Sequence, residues 1–233
     1  MSKNNVWLSV SDLMTGLMII FLFIAIAYIS RVQKEQSVLT DYIDTKDKLH
    51  SKLVNEFAGD TLLWKMSIGK DLSLKFKDPT ILFPLGAENL TPKFKEILDD
   101  FIPRYINILL NDSLRHKIHE IRIEGHTDTV PIPSKDRNSY IGNTMLSQQR
   151  ALNTLKYIYK NHIDGRYIDY ELKLLQYWFT ATGHSFGKAL DSDGSYATIS
   201  NNAINADASR RVEFRIITSG DEILENFVNQ TIK

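Results

Sequence analysis

A single carboxylate, Asp12, lies inside the most apolar stretch of the 233-residue chain. It is the only formally charged residue between positions 3 and 31, and within 13 to 29 only Thr15 and Gly16 are neither apolar nor aromatic. An aspartate near the middle of a membrane helix costs about 2.5 to 3.5 kcal/mol, so it requires a partner, a wet cavity or a function. Two interpretations are open: Asp12 meets one of these needs inside the membrane, or it caps a helix that starts directly after it.

Asp128 and Arg150 form a second set of groups that could carry chemistry. Asp128 lies in a polar loop after a strand-like segment, and Arg150 lies on the helical segment that follows. An acid and an arginine so placed can clamp a ligand that carries both an ammonium and a carboxylate group, Asp128 binding the first and Arg150 the second. A salt bridge that only fixes the loop explains the same spacing.

The remaining candidates for chemistry are weaker. His126 has no second histidine at ligand spacing, which favours a structural hydrogen bond over a metal site or a catalytic role. The segment DSDG at 191–194 is a poor match to a calcium loop, because further acids and a terminal Glu are missing. No nucleophile, base and metal set converges, and we expect no enzyme, no bound metal and no cofactor.

Composition excludes further classes. Lys and Arg total 28, as do Asp and Glu, so the charge balance gives no reason to expect a nucleic-acid partner. The absence of cysteine excludes disulfides and thiol chemistry. The chain is long enough for one domain with appendages.

The apolar stretch around Asp12 predicts one transmembrane helix. About 20 apolar residues cross a bilayer, and residues 6 to 29 suffice, with Trp7 and Tyr28 near the two interfaces. Asp12 would then lie roughly 9 Å deep, on one helical face with Thr15 and Gly16. A cleaved signal peptide is the alternative, because residues 25 to 27 read Ala-Ile-Ala, but the preceding stretch is long and contains an acid.

The rest of the chain predicts a helical stalk and one domain of mixed helices and strands. Residues 31–57 lack Pro and Gly and carry a sparse apolar stripe, which suits a solvated stalk or a dimer seam. From residue 62 the order is strand, helix, strand, helix, strand, strand. The segments are listed here: strand-like 72–76, an apolar run 81–83, a helix from Thr91-Pro92 in which Pro103 could cause a kink, strand 119–124, helix 144–163, strand-like 177–182, a polar loop 185–208, strand 211–217 and a short helix 222–228.

Several ordered motifs between residues 81 and 217 resemble the OmpA-like peptidoglycan-binding domain. These are FPLGAENLTP at 83–92, EGHTD at 124–128, NTMLSQQRA at 143–151 and SRRVEF at 209–214. The resemblance implies an α+β fold, a β-α-β-α-β-β sandwich, that binds the meso-diaminopimelate of the cell-wall stem peptide. It assigns Asp128 and Arg150 to the clamp, lined or supported by Thr127, Asn143, Leu146 and Arg211. This chain departs from the pattern in a longer loop, PIPSKDRNSYIG at 131–142, and in Ser209 where asparagine is usual.

The amino-terminal segment WLSVSDLMTGLMIIFLFI at 7–24 is similar to the single membrane helix of MotB-type stator subunits. The matching residues are Asp12, Met14, Thr15 and Met18. With the short stalk and the stretch GHSFGKAL at 183–190, the chain looks most like the ZorB type of stator subunit, which belongs to the Zorya anti-phage system.

The resemblance implies a homodimer beside a multi-span membrane protein of the MotA or ZorA type, in the bacterial inner membrane. Asp12 and Thr15 would couple H⁺ or Na⁺ flow to rotation of that partner. The implied segments are a membrane helix at 1–30 with a cytoplasmic amino terminus, a stalk at 31–60, a periplasmic domain at 61–219 and a tail at 220–233. Lysine and arginine counts on the two sides of the helix favour the opposite orientation, but large domains translocate largely regardless of nearby charge. A flagellar MotB-like subunit and a passive wall anchor remain the alternatives.

Overall fold

The computed structural model describes residues 3–132, 138–221 and 223 and divides into two units, Met1–Ile43 and Asp44–Lys233. Helix α1 runs from Lys3 to Phe57. In the first unit its side chains from 10 to 31 are all exposed, and the helix is long and apolar enough to cross a membrane. Because α1 begins more than two turns before Asp12, the interpretation of Asp12 as a helix cap is wrong.

The second unit contains a five-stranded sheet covered by helices. Its strands are β1 (Met66–Ile68), β2 (Ser73–Phe76), β3 (Ile118–Gly125), β4 (Phe179–Gly183) and β5 (Val212–Thr218). Their order is β1-β2-β5-β3-β4, in which only the pair β3 and β4 is parallel. The helices are α2 (Pro79–Leu82), α3 (Pro92–Leu109), α4 (Ser139–Ile158), α5 (Asp169–Trp178), α6 (Ala197–Ser200) and α7 (Ala206–Ser209), with a 3-10 turn at Arg115–Lys117 and a π turn at Tyr159–Ile163. This arrangement confirms the predicted α+β class.

Local sequence explains where the two long helices of this unit begin. Thr91 caps α3 by accepting a hydrogen bond from the Phe94 amide, and Pro92 occupies the first turn, where its missing N–H costs nothing. Asn138 caps α4 in the same way. The predicted start at Thr91-Pro92 is confirmed, whereas α4 begins five residues earlier than the predicted residue 144.

Three segments differ from their prediction, and a fourth is not tested. The apolar run 81–83 belongs mostly to α2, because Asp78 caps a turn that starts at Pro79. The segment 177–182 becomes a strand only at Phe179, since its first two residues end α5, and the polar loop 185–208 contains α6 and α7. The predicted helix 222–228 lies almost entirely outside the described residues, as do residues 133–137 of the long loop.

The end of α1 belongs to the core of the second unit. Leu49, Leu53 and Phe57 are fully buried, and the Phe57 ring lies 5.1 Å from that of Phe101 on α3. The second half of the apolar stripe at 31–57 therefore packs into the domain. The functional division at residues 30, 60 and 219 stays a prediction.

Candidate ligand-binding site

Close packing between α4 and the sheet determines where the predicted clamp residues lie. Gly125 of β3 and Gly183 of β4 are opposite each other in the parallel pair. A Cβ atom on Gly125 would lie 2.1 Å from the Ser147 carbonyl oxygen, and one on Gly183 would lie 2.3 Å from the Gln148 nitrogen. Only glycine permits this approach. As a result, the loop after β3 lies against the amino-terminal half of α4.

The loop after β3 is held by backbone hydrogen bonds. The Thr127 amide donates to the Ser185 carbonyl oxygen at 3.0 Å, and the Ser185 amide donates to the Ser147 hydroxyl at 3.0 Å. The Oδ1 atom of Asp128 accepts a 3.0 Å hydrogen bond from the Val130 amide, which closes a tight turn. The carboxylate of Asp128 is therefore fixed in one position although it lies in a loop.

Helix α4 presents three of the predicted residues on one face. Asn143, Leu146 and Arg150 are spaced by three and four residues, so they follow one another along the helix. The Asn143 amide nitrogen donates to the carbonyl oxygens of Val130 and Ser139 at 3.0 and 3.1 Å, which ties the turn to the helix.

A cavity of about 160 Å³ lies between these elements. All six residues predicted for wall binding line it: Thr127, Asp128, Asn143, Leu146, Arg150 and Arg211. Its apolar wall consists of Leu82, Phe83, Leu85, Val130 and Ile132. The cavity thus combines an apolar wall with a few charged groups, which is the usual composition of a small-molecule site.

Arg150 is a buried cation for which the described residues supply no carboxylate partner. Only 7% of it is exposed, its Nε atom donates to the Ala87 carbonyl oxygen at 2.9 Å, and its guanidinium lies over the Phe83 ring at 4.8 Å. Among the described residues none makes an ion pair with it within 4 Å. Burial lowers the pKa of Arg150 to about 10, although Asp128 opposes this effect. A ligand carboxylate would supply the missing partner.

Asp128 has a partner that the sequence analysis missed. The Oδ2 atom of Asp128 accepts a hydrogen bond from Arg210, whose guanidinium also binds Asp207. Arg210 lines the same cavity, and its side chain remains 26% exposed. The paired arginines of SRRVEF were visible in the sequence, but only the second one was assigned.

Arg211, the assigned arginine, is a buried structural residue in this conformation. Its Nε atom donates to Glu213 at 2.6 Å, and its Nη atoms donate to the carbonyl oxygens of Ser209 and Lys188 at 3.2 and 3.1 Å. With its side chain 0% exposed, Arg211 supports the floor of the cavity. Of the two consecutive arginines, Arg210 is therefore the one free to contact a ligand.

A buried charge network lies below the cavity. Glu124 and Glu213 are directly opposite each other on β3 and β5, and Arg215 binds both, at 3.1 and 2.9 Å. Burial by itself would raise the pKa of Glu124, but the neighbouring His126, His184 and cations hold it well below its usual range. Two like charges in adjacent strands are stable only because such cations neutralise them.

His126 belongs to this network. Its Nε2 atom lies 3.4 Å from Glu124 and 3.7 Å from Glu213, and its ring stacks on His184 with centroids 5.1 Å apart. Burial lowers the pKa of His126 to about 4, and Glu124 only partly offsets this. The fold thus brings a second histidine beside His126, contrary to the expectation from spacing. Because Arg211 and Arg215 already bind the carboxylates, the contacts favour the predicted structural role over metal binding.

Asp191, the first residue of the poor calcium motif, organises its own loop. Its Oδ1 atom accepts hydrogen bonds from the amides of Asp193 and Ser195 at 3.0 and 2.9 Å, and its Oδ2 atom accepts one from Asn202 at 3.0 Å. These bonds satisfy the carboxylate without a cation.

The two residues predicted to couple an ion lie in the first unit. Asp12 is exposed on α1, and the Thr15 hydroxyl donates to the Ser11 carbonyl oxygen at 2.8 Å. Nothing lies within 4 Å of the position that a Cβ on Gly16 would take. This face of α1 is thus open to another helix.

The fold is shared with a known class of proteins. The crystal structure of a MotB-like protein from Desulfovibrio vulgaris covers 76% of this chain and 93% of its own, with a TM-score of 0.50 and 22% identity. The second unit therefore has a MotB-like fold, and an apolar helix long enough to cross a membrane precedes it.

The curated relatives are more specific. The Zorya protein ZorB of Escherichia coli strain ATCC 8739 is 36% identical over 234 residues, which cover 97% of this chain and 94% of the relative. A second Zorya protein ZorB, from Escherichia coli O139:H28, is 25% identical over 92% of this chain and 81% of its own length. No protein-family profile matches the chain. The chain belongs to the ZorB family.

Proposed function

We propose that this chain is the wall-anchored stator subunit of an ion-driven membrane motor, the ZorB component of an anti-phage defence complex. The observation that carries the proposal is the pairing, in one chain, of an exposed aspartate within an apolar helix and a cavity with an acid and an arginine that has no ion-pair partner among the described residues. The first group is suited to ion coupling and the second to anchoring. A non-enzymatic role follows from both.

The anchoring step uses the cavity. The buried guanidinium of Arg150 binds the carboxylate of a diaminopimelate residue, and Asp128 binds its ammonium group. The apolar wall around Phe83 packs against the methylene chain between the two centres. The bound stem peptide then holds the domain still against the cell wall.

The coupling step uses Asp12. A proton or Na⁺ from the periplasm neutralises the carboxylate, and its release toward the cytoplasm restores the charge while the partner ring turns. Each charge that crosses 100 mV supplies about 2.3 kcal/mol, so a few ions suffice for a rotational step. The oxygen of Thr15 remains available as an ion ligand, because its hydroxyl uses only its hydrogen in the bond to Ser11.

The arrangement in the cell follows from these two steps. The amino terminus lies in the cytoplasm, α1 crosses the inner membrane and the domain lies in the periplasm, where the wall is. Two copies form a homodimer whose paired helices contact a multi-span partner of the MotA or ZorA type. The Gly16 face of α1 permits this close approach.

The test replaces Asp12 with Asn, which keeps the shape and removes the titratable group. We expect Asp12→Asn to abolish ion flux through the complex with its membrane partner and to abolish protection against phage, while wall binding is unchanged. Asp47→Asn, at an exposed acid outside the apolar segment, serves as the matched control. Unchanged flux and unchanged protection in Asp12→Asn would refute ion coupling and leave a passive wall anchor.

A flagellar stator role is the competing proposal. It predicts that the gene rescues motility in a strain that lacks its own stator, whereas the defence role predicts protection against phage with no effect on motility.

A further inference from the structure

We infer that the cavity has two carboxylate subsites, the second formed by Arg210, and therefore selects stem peptides that end in diaminopimelate with both carboxylates free. This inference rests on the proposed wall binding and adds a specificity to it. It starts from the charges of the described residues that line the cavity. Among them Asp128 is the only acid, and it faces two guanidinium groups, those of Arg150 and Arg210.

The charges of the remaining lining residues do not bring the net charge of the lining to zero. Arg211 is neutralised by Glu213 at 2.6 Å, and His126 is neutral at pH 7 because burial lowers its pKa to about 4. Asp207 binds Arg210 from outside, but its side chain is 79% exposed, so water screens its charge. Summed over the described residues that line it, the cavity therefore carries an excess of one positive charge.

This excess decides which ligand is complementary. An ammonium group approaching Asp128 alone is repelled by two guanidinium groups and competes with Arg210 for the same carboxylate. A ligand with two carboxylates and one ammonium compensates all three protein charges. Diaminopimelate at the end of a stem tripeptide has this set, with one carboxylate and the ammonium at one end and the second carboxylate at the other.

Arg210 has the donors that a second carboxylate requires. Its Nη1 and Nη2 atoms bind Asp128 and Asp207 with one bond each, and a guanidinium has five N–H groups. Its partial exposure places the remaining donors at the mouth of the cavity. Arg210 can thus bind the ligand without leaving Asp128, which makes it a specificity-determining residue.

The experiment is a double-mutant cycle between protein and ligand, measured by titration calorimetry on the full chain in detergent. The first probe is the tripeptide L-Ala-γ-D-Glu-meso-diaminopimelate. The second is the same peptide with an amide in place of the second diaminopimelate carboxylate, the one at the end remote from the ammonium. We expect the unmodified chain to prefer the free acid about tenfold, as one charge-assisted hydrogen bond predicts. Arg210→Gln should reduce this preference to less than about twofold, because it removes the second carboxylate subsite.

Two further variants make the test specific. Arg210→Lys keeps the charge without the planar fork and should retain part of the preference. Arg166→Gln, at an exposed arginine outside the cavity, should retain all of it. A preference that is equal in Arg210→Gln and the unmodified chain would overturn the inference while wall binding stands. Failure of the unmodified chain to bind either peptide would overturn wall binding as well.

Discussion

Replacing Arg150 with Met is expected to abolish wall binding and at the same time to stabilise the folded domain. Arg150 is 7% exposed and has no carboxylate within ion-pair distance among the described residues, so the folded domain carries a buried charge that Asp128 offsets only in part. Methionine keeps most of the aliphatic stem and removes the charge. The residue that binds the ligand would then be one that costs stability, as is common at functional sites.

The expected change in the free energy of unfolding follows from three effects, of which one favours the variant and two oppose it. Burial lowers the pKa of Arg150 from 12.5 to about 10, which at about 1.36 kcal/mol per pH unit is a cost of roughly 3 kcal/mol. Against this, the variant loses the hydrogen bond to Ala87, about 1 kcal/mol, and the contact of the guanidinium with the Phe83 ring, about 1 kcal/mol. The difference favours the variant by about 1 kcal/mol, which for a unit of this size raises the Tm by about 2 to 4 °C.

Two assays on the same preparation check this prediction. Thermal unfolding of the full chain in detergent, followed by circular dichroism, measures stability, and co-sedimentation with isolated peptidoglycan sacculi measures binding. Arg166→Met, at an exposed arginine, should leave both unchanged. The reasoning is refuted if Arg150→Met lowers the Tm by several degrees, since the guanidinium would then be stabilising, or if the variant still sediments with the sacculi.

Two further predictions concern the core and the buried network. Leu53→Ala should lower the free energy of unfolding by about 2 to 5 kcal/mol because Leu53 is fully buried. Leu39→Ala in the same helix, at a residue 45% exposed, should lower it by less than about 0.5 kcal/mol. Equal shifts in Tm would contradict the packing of α1 into the domain. Stability should also decline as pH falls from 6.5 toward 4, because the unfolded chain protonates His126 at its ordinary pKa and the folded chain does so only near pH 4. Urea unfolding at pH 7 and pH 5 measures this decline, and His126→Gln, which cannot be protonated, should make it smaller; an identical decline in that variant would exclude His126 as its cause.

Local patterns in the sequence predicted the elements whose residues alternate or are capped. Strand β3 shows Ile121 and Ile123 between polar neighbours, and α3 begins at a capping threonine followed by proline. Helix α5 was missed because it spans only ten residues: Leu172, Leu175 and Trp178 recur at a spacing of three, but so short a run does not by itself distinguish a helix from other elements. Its position depends on contacts with distant strands, which no local pattern records.

The end of α1 shows the same limit of local patterns for a helix that was predicted. Its apolar residues were visible, and the spacing of Leu49, Leu53 and Phe57 is helical, but a helix stripe does not identify the surface that covers it. A stalk, a dimer seam and a domain core all bury such a stripe. The choice is made by Phe101 and the other aromatic residues of α3, which are more than forty positions away in the chain.

The paired arginines at 210 and 211 show why motif matching singled out Arg211, which supports the floor of the cavity, and missed Arg210, which binds Asp128. The motif identifies two consecutive cations near the closing strand, and consecutive residues of an extended chain point to opposite sides. Which side faces the ligand depends on where Glu213 lies, since a buried glutamate must capture one guanidinium to be stable. Arg211 is the one captured, two residues before Glu213 along β5, so Arg210 is left to contact Asp128. The demand of a buried carboxylate for a cation therefore determines which arginine remains beside Asp128 in the cavity.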